Sequence, residues 1–538
     1  MQISRKSLIG LLLVLALSAS LDVIVAWNAS PTTDEWHHLK YGEQILHDQP
    51  DRVAYGINDS QMPVSALNVL PAEIASYLSS HHVFSPLSED SIRMLQRFPT
   101  ILATLALGLL VFLWAFDLYG EEAALASCLL CTLSPNLIAH GTLVTTDMYN
   151  ALGTVGALYF LRRFLLQPTV AHALVSALAL ALAQVAKSFA IVLYGVAFLA
   201  IAFVMLRPTP GPSLTPRRVL QFAALAALCF LLVINAAFCF DRSFTPVSSY
   251  LAEASHHHIE RTSFSRIQRL SFLGGVPIPF PYPFVQGLVL MKSIEETGAT
   301  SGNIYLLGEL RDPRDPAVHG FKSYYAVAYF YKEPIALQIL FIWGLVWICR
   351  NRMWADFIRG EGLLLATTAI LFLWLSLFSR AQVGIRHILP VLAIETIIGG
   401  AAFRGFGGKP WPQKAALGGL VLWLAASMAS YYPQMIPYMN EWLHDRRFAY
   451  RILADSNLDW GQDAKVVTDF LHKNPDVVLD PPKPMAGRIL VRANCLTGVY
   501  RWDSATYLQR YQPVAQVGYA HFLFVVPNAD VAPVSHAP

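Results

Sequence analysis

Asp34 and Glu35 stand side by side in the stretch SPTTDEWHHLKYGEQILHDQP, with His37 and His38 two positions on. A carboxylate in such a place can act as a general base, taking a proton from a hydroxyl. A neighbouring glutamate and imidazoles can tune its pKa or share a metal ion. The same residues also suit an ordinary helix start, with Thr33 as N-cap, acids in the first turn and EWHHLKYGEQIL as an amphipathic interfacial helix. Three further sets carry charge. Asp147 lies in SPNLIAHGTLVTTDMYNALG beside His140, Thr145 and Thr146, where it is either a site acid or the N-cap of the next helix. Arg380, Arg386 and His387 lie in FSRAQVGIRHILPVLAIE. The planar fork of arginine suits phosphate. Lys187, in QVAKSFA between two apolar runs, is a further cation, with interfacial snorkelling as the alternative reading. The last set is Asp455, Asn457, Asp459 and Asp463 in ILADSNLDWGQD. Its spacing faintly suggests a calcium loop, but the central glycine and terminal glutamate of an EF-hand are missing, and turn and cap chemistry explains much of it.

The elements that must position these groups are membrane helices. The chain has 538 residues, 55% hydrophobic and 14% charged, against about 25% charged in soluble domains. A helix needs roughly 20 apolar residues to cross a bilayer. Apolar runs near 8–27, 99–116, 123–140, 147–161, 170–186, 189–206, 219–238, 334–349, 361–378, 387–403 and 415–432 predict about eleven crossings. The net charge of +3 gives no reason to expect nucleic acid as a partner. Cys128 and Cys131 form a C-x-x-C inside an apolar run, where cysteine behaves as a small hydrophobe.

Loops rich in Lys and Arg prefer the cytoplasm. Arg5, Lys6, Arg162, Arg163, Arg217, Arg218, Arg350, Arg359, Arg404 and Lys414 all fall on one side of an eleven-span layout. The N-terminus is therefore expected to be cytoplasmic and the C-terminus extracytoplasmic, in a multi-pass membrane protein. A cleaved signal peptide ending near ALSAS is the alternative for the first segment. Either way the Asp-Glu pair emerges on the outer face.

The outer face then holds loops 28–98 and 239–333 of a membrane domain, residues 1–432, and a tail, residues 433–538. In the tail, GQDAKVVTDFLHKNP has helical spacing, and GRILVRA and QVGYAHFLFVV read as strands. This predicts a small α/β extracytoplasmic domain. All four charged sets fall on this outer side, where arginine is statistically disfavoured and ionisable groups are functional candidates. Cations suit a lipid phosphate, and carboxylates suit a hydroxyl acceptor. There is no Walker loop or dinucleotide fingerprint, so a lipid-linked donor fits better than a soluble nucleotide.

Taken in order, TTDEWHHLKYGEQIL, LSPNLIAHGTLVTTDMYNALG, YLLGE, SYYAVAYFYKEP, GIRHILPV, NEWLHDRRFAYRILADSNLDWGQD and the tail pieces VRANCLTGVYRW and VGYAHFLFVV resemble the bacterial glycosyltransferase family 39 type of membrane proteins. These belong to the GT-C superfamily, with protein O-mannosyltransferases and lipid A aminoarabinose transferases. The resemblance covers nearly the whole chain. It implies a GT-C fold with an outward-facing site and a polyprenyl-phosphate monosaccharide as donor. The acceptor would be a glycan, lipid or protein hydroxyl, and transfer would proceed with inversion. It assigns the first outer acid to Asp34, with Glu35 completing the pair, and the second acid to Asp147. It assigns the donor phosphate to Arg386 and Lys187, with Arg380 as a helper. His37, His38 and His387 are candidate acceptor or metal contacts, and a divalent metal is a candidate cofactor. SHHHIERTSF has no family counterpart, and its His256, His257 and His258 suit a solvated loop better than a metal site. A membrane transporter and a lipid-linked polysaccharide polymerase or ligase are the rival readings. A transporter more often shows internal repeats and broken helices at the midplane.

Overall fold

The structure is a computed structural model and describes residues 3–47, 62–206, 213–250, 274–297, 302–315, 318–351, 354–380, 382–500 and 505–528. His256, His257 and His258 lie outside the described residues. The first ten helices are α1 (Arg5–Asn28), α2 (Thr33–Leu46), α3 (Ser65–Ser80), α4 (Glu89–Tyr119), α5 (Glu121–Leu133), α6 (Pro135–Gly141), α7 (Asp147–Leu166), α8 (Val170–Ala186), α9 (Val192–Leu206) and α10 (Pro216–Ala237). Further apolar helices span Tyr324–Lys332, Ile335–Asn351, Glu361–Phe378, Leu389–Gly400 and Trp411–Ala429.

Each of the eleven expected spans falls on helix, but eleven crossings are not established. Among the described residues six helices are long and apolar enough to cross a membrane, or eight if each of two bent pairs is one span. The bends follow the prolines. Pro135 opens α6 at 65° to α5, and the chain turns by 109° between Tyr324–Lys332 and Ile335–Asn351, at Glu333-Pro334. Proline lacks the N–H that would continue a helix, yet suits the first position of the next. Helix α7 carries Asp147, Arg162 and Arg163 and is largely buried among other helices. Leu8, Leu12, Leu13 and Ile24 of α1 are exposed, as a lipid-facing surface requires.

At the centre lies the Leu389–Gly400 helix, buried at every position. Even its two polar residues, Glu395 and Thr396, are buried, which marks it as an inner element of the bundle. It is preceded in the chain by a short 3-10 turn, Ile385–Ile388, which carries Arg386 and His387.

The tail contains a four-stranded sheet in the order β3-β4-β6-β5, with β3 (Val477–Leu479), β4 (Gly487–Arg492), β5 (Ala515–Val517) and β6 (His521–Val526). A hairpin of β1 (Ile304–Leu306) and β2 (Glu309–Arg311) precedes it in the chain. In the tail sheet β3 and β4 are parallel and the other pairs antiparallel. QVGYAHFLFVV is two strands rather than one. Gly518 and Tyr519 both take φ of 64° and turn β5 back into β6.

Period-two alternation divides the sheet. Ile489, Val491, Phe522 and Phe524 join the core of the helical bundle, whereas Leu490 and Leu523 join Val467, Val477 and Val517 on the other face. The expected helix is present at Ala464–Lys473. The tail thus shares its larger core with the membrane helices.

Candidate active site

Asp34 sits in the first turn of α2, whose N-cap is Thr32, one residue before the expected Thr33. Asp147 is the first residue of α7 and does not serve as its N-cap, a position held by Thr146. Lys187 lies at the break after α8, in extended backbone. Gln184 fixes that break by donating to the carbonyls of Ser188 at 2.8 Å and Lys187 at 3.2 Å.

These separate elements meet around Arg386. Its guanidinium Nη1 donates to Asp34 Oδ2 at 2.8 Å and lies 3.7 Å from Asp147 Oδ2. Lys187 Nζ donates to Asp147 Oδ1 at 2.5 Å. The Trp460 ring lies 4.3 Å from the Arg386 guanidinium, a cation–π distance. Its side chain also hydrogen-bonds Asp34. Burial pushes the Asp34 carboxyl up. The charge and hydrogen bond of Arg386, with His38 and Trp460, more than offset this and hold it below the usual range. Asp147 is buried, and Asp34 and Arg386 are partly exposed. Two cations beside two carboxylates, open on one side, can take an anion at Arg386 and a proton at Asp34.

Glu35 faces elsewhere. Arg97 of α4 grips its carboxylate with two hydrogen bonds, at 2.9 and 2.8 Å, and the N–H groups of Thr32 and Val144 donate to it at 2.8 and 2.9 Å. Arg97 also donates to the carbonyls of Ala26 at 2.6 Å, Ala29 at 2.8 Å and Ser30 at 3.0 Å. Burial raises the Glu35 carboxyl, but Arg97 and the two N–H groups overcome it and keep it ionised. The pair ties the end of α1 to α2, α4 and the turn before α7. Glu35 is thus placed to hold Asp34 in position, and its four donors leave it poorly placed to take a substrate proton.

The remaining expected residues divide. His38 is buried with Nδ1 3.3 Å from Ser65 Oγ, and burial holds its pKa down to about 4, so it is neutral at pH 7. His387 Nδ1 lies 3.0 Å from the Tyr325 hydroxyl. His37 is partly exposed and meets the Trp36 ring edge-on. Arg380 donates its backbone N–H to Glu295 at 2.8 Å, and the ion pairs at Asp34 and Asp147 are made by Arg386 and Lys187. Among the described residues, no three His, Cys, Asp or Glu side chains are arranged to hold a metal ion.

The tail is the part of the site that sequence spacing did not mark. Ser30 N–H donates to Gln462 O at 2.8 Å and Thr33 N–H to Trp460 O at 3.0 Å, so the start of α2 is stitched to the segment carrying Trp460. Ser456 Oγ donates to Val383 O at 2.6 Å, and Ile385 N–H donates to Asn457 Oδ1 at 3.0 Å. A Cβ at position 384 would lie 2.4 Å from Ser456 Oγ, so a side chain there would have to displace that hydroxyl from its bond to Val383. From below, buried Lys332 donates to the carbonyls of Asn457 and Ile436, both at 2.6 Å. DSNLDWGQD was readable as a polar turn, but nothing in its spacing showed that it lies against Arg386.

Residues 82–237 match the family of dolichyl-phosphate-mannose-protein mannosyltransferases. Over that stretch the chain is related to that family. The matched region carries Arg97, Asp147 and Lys187, while Asp34, Arg386 and the tail lie outside it. Among the curated proteins compared, none matches the chain. Among solved structures, the oligosaccharyltransferase of Archaeoglobus fulgidus in complex with zinc and sulfate is 13% identical, with a TM-score of 0.45. The match covers 78% of this chain and 53% of that one, so this chain spans about half the length of the archaeal protein. ArnT from Cupriavidus metallidurans is 15% identical in its apo state, with 97% of this chain and 98% of that chain covered and a TM-score of 0.30. Bound to undecaprenyl phosphate it is 16% identical, with the same coverage and a TM-score of 0.31.

Proposed function

We propose that the protein is a GT-C membrane glycosyltransferase. It moves a monosaccharide from a polyprenyl-phosphate donor to a hydroxyl acceptor at the outer face of the inner membrane. The observation that carries this reading is Arg386, held by Asp34 at 2.8 Å beside the Asp147–Lys187 pair, just before a fully buried helix. The mannosyltransferase match over residues 82–237 supports the same class of chemistry.

In this reading the acceptor oxygen attacks the anomeric carbon from the face opposite the phosphate, and configuration inverts. The bond from that carbon to the phosphate oxygen breaks, and its electron pair leaves with the polyprenyl phosphate. Arg386 and Lys187 stabilise the charge that develops there. Asp34 accepts the hydroxyl proton. Asp147 holds the two cations together, and Glu35, through Arg97, fixes the turn that presents Asp34. A phosphate arriving at Arg386 competes with Asp34 for the guanidinium. Each contact that Asp34 loses raises its pKa and makes it a better base when the donor is present.

The test is transfer in proteoliposomes from a panel of radiolabelled polyprenyl-phosphate sugars, with membranes of a deletion strain as acceptor. Wild type transfers one sugar, and Asp34→Asn, folded to the same unfolding midpoint, loses transfer by about two powers of ten or more. Undiminished turnover in Asp34→Asn removes Asp34 as the base. Failure of wild type with every donor removes the glycosyltransferase reading and moves attention to solute uptake.

A further inference from the structure

We propose that Asp455 is a third carboxylate of this site, holding a hydroxyl of either the acceptor or the donor sugar beside the Asp34–Arg386 pair. The inference rests on the glycosyltransferase reading above and extends it to a residue outside the Asp34, Asp147, Arg386 and Lys187 set.

The geometry of the turn is the first ground. Asp455 takes φ of 58°, a left-handed conformation that costs a residue with a Cβ. That conformation is held from several directions. The Asp455 N–H donates to Asn494 Oδ1 at 2.7 Å, and the Ser456 N–H donates to Asp455 Oδ1 at 2.6 Å. Ser456 and Asn457 are then fastened to Val383 and Ile385, on the segment that leads into Arg386. Ser456 and Asn457 are buried, whereas Asp455 is partly exposed. Oδ2 of Asp455 accepts no hydrogen bond among the described residues. A non-glycine residue held in this conformation is a reason to look for function at the turn.

The surroundings decide what Asp455 can hold. Arg386, Asp34 and Asp459 act on it electrostatically, and its charge is felt in turn by Tyr324 and Tyr500. Burial pushes its carboxyl up to about 7, against the pull of Arg386, and the charges of Asp34 and Asp459 push the same way as burial. A carboxylate among carboxylates repels a phosphate, so the donor phosphate belongs at Arg386. A group that is part ionised and part protonated at neutral pH can accept from a hydroxyl or donate to one. Acceptor and donor sugar both supply that chemistry.

The rival explanation is a turn and nothing more. Asparagine and glycine both tolerate φ near 58°, so Asp455→Asn and Asp455→Gly keep the turn and remove the carboxylate. The full chain in proteoliposomes, with the polyprenyl-phosphate sugar that wild type uses, gives the readout. Both variants are expected to raise the KM of one substrate by about tenfold or more and to flatten the change in rate between pH 6 and pH 8. A KM rise confined to the donor assigns the hydroxyl to the sugar, and one confined to the acceptor assigns it there. Unchanged KM values and pH profile in both variants overturn the proposal. If Asp34→Asn is inactive in the same vesicles while the Asp455 variants behave as wild type, only the role of Asp455 falls. If wild type itself transfers nothing, the glycosyltransferase reading fails and this inference with it.

Discussion

Glu35 and Arg97 offer the sharpest separation of structure from chemistry, because Glu35 adjoins Asp34 in sequence yet is engaged in a different task. Both side chains are almost wholly buried, and seven hydrogen bonds surround the pair. Two join Arg97 to Glu35, three run from Arg97 to the carbonyls of Ala26, Ala29 and Ser30, and two run from the N–H groups of Thr32 and Val144 to Glu35. Removing one member of a buried pair costs about 3–5 kcal/mol, because the survivor keeps a charge without its counter-charge. Glu35→Gln leaves the Arg97 charge facing only carbonyls, and Arg97→Met leaves Glu35 facing only two N–H groups. Either change shifts the folding equilibrium by roughly two to three and a half powers of ten.

Acid separates the two variants. In the native protein the folded-state carboxyl of Glu35 lies below its unfolded value of about 4.3. Its contribution is therefore present above that value and is lost as pH falls through the lower folded one. Without Arg97, burial acts against two N–H groups alone and the carboxyl rises. Arg97→Met should then take up a proton on mild acidification and recover part of its deficit, whereas Glu35→Gln, with Arg97 always charged, should not. The assay is the thermal unfolding midpoint of the purified protein in detergent at pH 7 and pH 5. A Glu35→Gln protein that unfolds with wild type but transfers no sugar would refute this reasoning and return Glu35 to the chemistry.

Trp460→Phe keeps an aromatic face for Arg386 and removes the indole N–H from Asp34. The acid limb of the kcat/KM profile should move to higher pH, and an unmoved limb would mean that Asp34 does not titrate in it. In the tail, His521 Nδ1 lies 3.0 Å from Asp463 Oδ2. Burial lowers the His521 pKa, but the Asp463 bond and charge, with Asp459 and Asp480, raise it overall. Its stabilisation is then full below the unfolded value of about 6.5 and is lost as pH rises through the raised folded one. His521→Gln should unfold earlier than wild type at pH 6, with the gap closing by pH 8.5, and a gap independent of pH would exclude a charged pair.

Sequence reached the positions whose partners are dictated by membrane physics. Apolar runs gave the helices, and charges at helix ends had little choice but to meet at one surface. Asp34, Asp147, Lys187 and Arg386 accordingly come together. Glu35 was read with Asp34 because the two are adjacent, yet neighbours on a helix point about 100° apart. One carboxylate faces the opening and the other faces α4. Arg380 was grouped with Arg386 on outward placement alone, but its backbone N–H is given to Glu295, whereas the segment leading into Arg386 is fastened to Ser456 and Asn457 through Val383 and Ile385. Pro135 did mark a break, and reading 123–140 through it produced one unbroken span, whereas the span expected at 334–349 began at the break that Pro334 makes. Asp455 stood in one of the charged sets but was read mainly as turn and cap chemistry, and Trp460 was not singled out. The Arg386 and Asp34 they meet lie many residues earlier in the chain, and no local periodicity records that the tail folds back onto the bundle.

That return of the tail bears on how charge moves in the proposed reaction. In the resting site Arg386 is shared by Asp34 and Asp147, and Lys187 is held by Asp147. The donor phosphodiester carries one negative charge, and the polyprenyl phosphate that leaves carries more. At the same step Asp34 takes up the acceptor proton and loses its own charge. The negative charge therefore passes from Asp34 to the phosphate while Arg386 and Lys187 stay in place, so the cations need no rearrangement to stabilise the products. Such an exchange succeeds only if Asp34 and the phosphate compete for one guanidinium in one fixed orientation. Trp460 beneath that guanidinium, and the Ser456 and Asn457 bonds to the segment before it, supply that orientation from the tail. A mobile Arg386 would follow whichever anion was stronger, and the timing between proton transfer and phosphate departure would be lost.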